Sequence, residues 1–273
     1  MVERHSDFTH LMLTRFNTAI GYAPNSKGLD EEWLRGRVAL FEQYCLPSVE
    51  AQRDVPFDWL IFCDARSPGW FRDKLLSYGP ILKPVYIDGP ATDDVIARRV
   101  KETISIKTPY LVTTRLDNDD AIGDRHLPLI QNAFSHQDRE FLVFPFGLQS
   151  FRGQLYNVYW PSNPFLSLIE KVRDDGSFTT VLCIAHDKMR LSNQVRDIHT
   201  APQWLQVIHG GNLLNSLRGW PRLSSGQPSQ FHVHWPREVQ DSSLLSRIEV
   251  SGTAFLARGR RLTEKVRAKL RNA

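Results

Sequence analysis

The chain has 273 residues, 41% hydrophobic and 11% aromatic, with 34 Lys and Arg against 30 Asp and Glu for a formal charge of +4. That length and apolar content suffice to bury a core, as one large domain or one domain with an appendage, and they exclude a disordered chain. Residues 257–273, ARGRRLTEKVRAKLRNA, hold seven Lys/Arg and one Glu, so the rest is close to neutral and lacks the spread basic surface that nucleic acid requires.

In chain order, Phe8 to Phe16 reads as a first strand, closed by Asn17 and a polar loop. Trp33, Leu34, Ala39, Leu40, Phe41, Tyr44 and Cys45 follow a helical stripe behind the acidic Asp30, Glu31 and Glu32, and Pro47 kinks that helix or opens a second. FDWLIFCD is the second strand, Trp70 to Leu76 a helix, ILKPVYID the third strand, Thr92 to Ile106 a helix and LVTTRL the fourth strand. Such alternation predicts a wound, largely parallel α/β sheet with ligands at the carboxyl ends of its strands, where Asn17, Asp64, Asp88 and Asp117 fall.

Further on, FLVFPFG reads as a strand, Leu166 to Val172 as a helix, FTTVLCIAH as a strand ending at His186, and FHVHW as one short strand. The domain is expected to span residues 1–235. Residues 236–273 are expected to form a basic amphipathic helix, with Leu262, Val266 and Leu270 on one face. That helix either packs on the domain or docks on an anionic membrane at its inner face. Cys45, Cys63 and Cys183, odd in number and without metal-type spacing, read as reduced thiols and favour a cytoplasmic location. No signal peptide or membrane span is expected, because no apolar run approaches the ~18 residues that a span requires.

The densest chemistry is TRLDNDD, where Asp117, Asp119 and Asp120 crowd the end of the fourth strand. Carboxylates so close repel one another unless a cation neutralises them. A hard divalent ion, Mn²⁺ or Mg²⁺, that keeps open positions for a diphosphate is the expected occupant, and a solvated turn of Asp caps is the bland alternative. No GxSxG, GxxxxGK[ST], HExxH or GxGxxG occurs. His232 and His234 in FHVHW lack a third ligand at recognisable spacing.

TRLDNDDA after a strand, with LTRFN, WLRGRVALFEQYCLPSVEAQ and FDWLIFCDARSPG, resembles the rhamnosyltransferase family of bacterial glycosyltransferases over roughly residues 10–215. The resemblance implies a GT-A fold, a Rossmann-like three-layer α/β sandwich, and transfer of a sugar, rhamnose by the family's name, from a nucleoside-diphosphate donor to a glycan or lipid-linked acceptor with inversion. It implies that Asp119 leads the metal ligands, that Asp117 joins it and also faces the donor ribose or sugar, that His209 is a further metal ligand or a diphosphate contact, and that Asp120 holds sugar hydroxyls or a water. It implies donor contacts from Thr14, Arg15, Asn17, Asp64, Arg98 or Arg99, Arg115, Trp204 and Asn212, the last two from the WLQxxHGGN segment. Glu170, Asp187 and Asp197 are the carboxylates available as general base, with Glu170 and Asp197 preferred. Rival readings are a metal-dependent phosphohydrolase using the same carboxylates and a non-catalytic carbohydrate- or membrane-associated module. A dehalogenase-type hydrolase would carry its DxD after the first strand, whereas three strands precede this one.

Overall fold

The structure, a computed structural model, describes residues 7–19, 27–52, 55–209, 216–222 and 227–236. The basic extension from residue 237 onward and Asn212 lie outside them. Strand β1 (Phe8–Arg15) leads to helix α1 (Glu31–Leu40), whose N-cap Asp30 accepts a hydrogen bond from the Trp33 amide at 2.8 Å. The helix loosens into a π turn over Phe41–Cys45 and resumes as α2 (Leu46–Glu50). Pro47 accounts for the change, since it has no N–H to return to the carbonyl one turn earlier. Strand β2 (Asp58–Asp64), helix α3 (Gly69–Ser77), strand β3 (Lys83–Ile87), helix α4 (Asp93–Thr103) and strand β4 (Tyr110–Arg115) continue the expected alternation.

Beyond β4 come β5 (Ala121–Ile122), α5 (His126–Asn132), β6 (Glu140–Val143), β7 (Phe146–Phe151), β8 (Gln154–Tyr159) and β9 (Leu166–Lys171). The described chain closes with α6 (Met189–Ser192), β10 (Gln194–Asp197), β11 (Trp204–Ile208) and β12 (Trp220–Pro221). Here the sequence-based expectations need correction. The helix expected at Leu166 to Val172 is β9, FTTVLCIAH contains only a 3-10 turn at Val181–Cys183, and FHVHW forms no strand. Pro145 splits FLVFPFG into β6 and β7, which enter different sheets.

One sheet has the order β10-β6-β9-β4-β1-β2-β3, in which β9 alone runs antiparallel to its neighbours; the other has the order β12-β8-β7-β11-β5. The period-two alternation of a strand buries both faces of the first sheet. Leu11, Leu13, Leu60 and Phe62 pack with Ile96 and Val100 of α4 on one side. Met12, Trp59, Ile61 and Cys63 pack with Leu34 and Val38 of α1 and Phe71 and Leu75 of α3 on the other. This is the α/β sandwich that the GT-A resemblance implied. Polar side chains stitch the centre of the sheet. Gln131 Nε2 donates to His10 Nδ1 at 3.0 Å, so the His10 Nε2–H donates to Thr114 Oγ1 at 2.9 Å, and Thr114 lies 2.7 Å from Ser167 on β9.

Two buried details can be tested. A Cβ on Gly147 would stand 2.0 Å from the Trp204 indole, so Gly147→Ala should cost at least about 1–3 kcal/mol, measured by urea denaturation. His126 is buried, its Nδ1–H donating to the Gln203 carbonyl at 2.9 Å, and burial lowers its pKa from 6.5 to about 4. Above pH 6.5 the folded and unfolded states both hold it neutral. As pH falls from 6.5 towards 4 only the unfolded chain takes up the proton, so about 3 kcal/mol of stability should disappear across that window. Denaturation midpoints of the parent chain and His126→Asn between pH 7 and pH 4 check this, the variant losing that dependence.

Candidate active site

The acidic segment is a turn, with the Asp120 amide donating to the Asp117 carbonyl at 3.2 Å, and it passes the chain from β4 of the first sheet into β5 of the second. Because the segment is not extended, its three carboxylates do not alternate sides as a strand would require. Each meets a different partner.

Asp117 is held by Arg115, whose Nη2 donates to Oδ2 at 2.7 Å and whose Nε donates to Oδ1 at 3.1 Å. Burial alone would raise the Asp117 carboxyl, but Arg115, Arg15 and His186 hold it below the usual range. Asp119 accepts from Arg37 Nη1 of α1 and from His209 Nε2, the latter at 2.9 Å, on the same oxygen. Asp120 accepts from the Val207 amide of β11 at 2.9 Å. Burial, followed by Asp119 and Asp117, pushes the Asp120 carboxyl well above its ordinary value. Asn118 steadies the turn from beneath, donating to the Phe16 carbonyl at 2.8 Å.

Around this turn the arginines form a second layer. Arg15 ends β1, and burial and the neighbouring Arg115 lower its pKa, while Asp117 and Asp93 oppose them. Two guanidinium groups that repel one another at the carboxyl edge of β1 and β4 favour a bound anion. His186 reaches the same place from the segment before α6. Its Nδ1–H donates to the Ser162 carbonyl, leaving Nε2 as the acceptor nitrogen, and burial lowers its pKa from 6.5. Arg37, Asn118 and His186 were not singled out from sequence.

Several residues expected at the site are committed elsewhere. Thr14 is buried and accepts from the Trp59 indole at 2.9 Å. Asn17 donates to the Gly28 carbonyl and Ser67 hydroxyl, both at 2.9 Å, and accepts from the Asp64 amide, so it shapes loops. Asp64 lies at the end of β2, paired with Arg66 at 2.7 Å. Arg98 is exposed on α4, and Arg99 pairs with Glu102. Trp204 is fully buried, stacked on Phe165 and donating to the Phe144 carbonyl at 2.8 Å, so it is core rather than a sugar platform.

Glu170 corrects the expectation most plainly. It sits opposite Leu111, at the far end of β4 from Asp117, about 20 Å away at 3.3 Å per strand residue. There it accepts from the Thr179 and Thr180 amides, both at 2.9 Å, and holds a loop. Asp197 is at the carboxyl edge of β10 but pairs with Arg190, and Asp187 and Asp88 are exposed. His232 lies 3.5 Å from Asp124, and the His234 amide donates to Gln43.

Among the described residues no group of three His, Cys, Asp or Glu side chains converges as a metal cage. Asp119 and His209 nevertheless stand at a spacing that suits a hard cation, which would share the Asp119 oxygen that Arg37 already reaches. Their 2.9 Å separation is about that of neighbouring ligands on an octahedral ion bound at roughly 2.1 Å. Asp117, clasped by Arg115 on both oxygens, does not fit as a ligand in this arrangement.

The turn itself should respond to mutation in two distinguishable ways. Asp120→Asn keeps an acceptor for the Val207 amide and should be close to parent stability, whereas Asp120→Ala should lose about 1–3 kcal/mol in chemical denaturation.

Comparison with solved structures finds S. aureus TarS residues 1–349 in complex with UDP-GlcNAc at 11% identity and TM-score 0.47, covering 76% of this chain and 60% of that one. A protein described as a "putative nucleotide-diphospho-sugar transferase" from Desulfovibrio desulfuricans G20 matches at 12% identity and TM-score 0.37, covering 74% and 82%. HddC from Yersinia pseudotuberculosis matches at 10% identity and TM-score 0.37, covering 72% and 93%. The chain thus spans about 60% of the length of the TarS fragment. No curated protein matches. The family model described as "Putative rhamnosyl transferase" matches residues 22–219, which contain the acidic turn, Arg37, His186 and His209. The chain belongs to this family of glycosyltransferases.

Proposed function

We propose that the chain transfers a sugar, rhamnose in keeping with its family, from a nucleoside-diphosphate donor to a hydroxyl of a glycan or lipid-linked acceptor, with inversion at the anomeric carbon. The observation that carries this reading is the meeting of Asp119 and His209, ninety positions apart, at the carboxyl edge of the sheet beside Arg15 and Arg115. Asp119 and His209 would hold Mn²⁺ or Mg²⁺, the cation replacing the proton they share. Bound there, it would neutralise charge on the leaving diphosphate.

The protein's own groups supply the rest. Arg15 and Arg115 face the anionic donor, and Asp117, a third exposed, stays available to the donor sugar or ribose. His186 is neutral near pH 7, and its Nε2 lone pair is the base that takes the acceptor hydroxyl's proton as that oxygen attacks the anomeric carbon and the nucleoside diphosphate leaves. Glu170 is too distant for that step. Among the described residues no helix is long and apolar enough to cross a membrane.

A thermal-shift panel of nucleoside diphosphates with and without Mn²⁺ tests the reading. One nucleotide should stabilise the protein in a metal-dependent manner, by about 2.7 kcal/mol at a hundredfold excess over Kd, and Asp119→Ala should abolish the effect. No response to any nucleotide from folded protein would rule the reading out. For the base, His186→Ala should lower kcat by about 10²–10⁴ while the nucleotide shift persists, and an unchanged kcat would exclude it.

A further inference from the structure

The far end of the second sheet carries aromatic side chains that this reaction does not use. Phe146 and Tyr159 face each other across the β7–β8 pairing with ring centroids 5.0 Å apart, and Trp220 on β12 stands opposite Asn157. They are 42%, 51% and 66% exposed. With Thr200 and Pro202 they line an open groove of about 410 Å³, and no described residue lining it is charged.

The backbone beneath is specified for this arrangement. A Cβ on Gly219 would stand 2.4 Å from the Asn157 carbonyl, so glycine is what lets β12 close on β8 and present Trp220. The Arg222 amide, donating to the Leu155 carbonyl at 2.8 Å, secures the pairing. Rigid rings beside an amide and a hydroxyl, without ions, suit a neutral polyol: sugar C–H faces stack on the aromatics and hydroxyls meet Asn157 and Thr200. Among the described lining residues an anionic lipid surface or a charged peptide has no charge to pair with. The groove borders the start of β11, and His209 follows its end, about 16 Å along at 3.3 Å per residue.

We propose that Phe146, Tyr159 and Trp220 form a binding platform for a neutral glycan, a stretch of acceptor chain remote from the reacting hydroxyl. The proposal rests on the glycosyltransferase reading for the acceptor's role, but not on the metal. Saturation-transfer NMR on the full chain with rhamno-, gluco- and mannohexaose, and methyl glycosides of the same sugars as short controls, tests it. At least one hexaose should bind, and its affinity should fall tenfold or more in Trp220→Ala and Tyr159→Ala, with melting temperature and the nucleotide-plus-Mn²⁺ shift retained. Equal binding by the variants, or no hexaose binding while the nucleotide shift is present, overturns the platform. Hexaose binding that the variants lose, in a protein without any nucleotide shift, upholds the platform and overturns the transferase reading. A dimer in sedimentation that Trp220→Ala dissociates, with hexaose binding unaffected, assigns the face to a second copy and overturns the glycan proposal.

Discussion

Three carboxylates within four positions cannot share one environment, and the way this chain separates them organises the molecule around the turn. Asp117 is matched to Arg115, Asp119 to Arg37 and His209, and Asp120 to a backbone amide in a setting that favours its neutral form. Each solution draws in a different element: β4 itself, α1 with the end of β11, and the middle of β11. Charge repulsion in one short segment is therefore relieved by long-range contacts, and those contacts join the two sheets.

That arrangement also explains why the site is polarised. Six strands of the first sheet end on the same edge, and the guanidinium groups of Arg15 and Arg115 gather where the acidic turn leaves it. The carboxylates orient the arginines, and the arginines in turn keep Asp117 ionised. An anion entering this edge would meet positive groups already positioned, so little reorganisation would be required. At the other end of the same strands, Glu170 satisfies loop amides and takes no part.

The first half of the fold was legible because β1, β2 and their helices carry clean periodicities: Leu11 and Leu13 against Met12, Trp59 and Ile61 against Leu60. The second half was less so. LSLIEK is apolar enough for either a short helix or a buried strand, and only its pairing between β4 and β6 decides for strand. The acidic turn announced itself locally, but Arg37 did not, since its partner lies 82 residues away and nothing in WLRGRV distinguishes it from a solvent-facing arginine. Trp204 and Thr14 misled for the converse reason: residue types that often meet sugars and nucleotides are used here for packing and for an indole hydrogen bond.

The contacts at Asp119 carry one further meaning. They join an early helix, a turn near the middle of the chain and a residue just past β11, so the cluster closes loops of 82 and 90 positions and needs a stretch of chain from Arg37 to His209 before it is complete. A nascent chain holds the first four strands and their helices well before His209 is made. Until then the acidic turn is without its late partner. Completion of the cluster is thereby tied to completion of the second sheet, and the core of the first four strands can form before Asp119 has met His209.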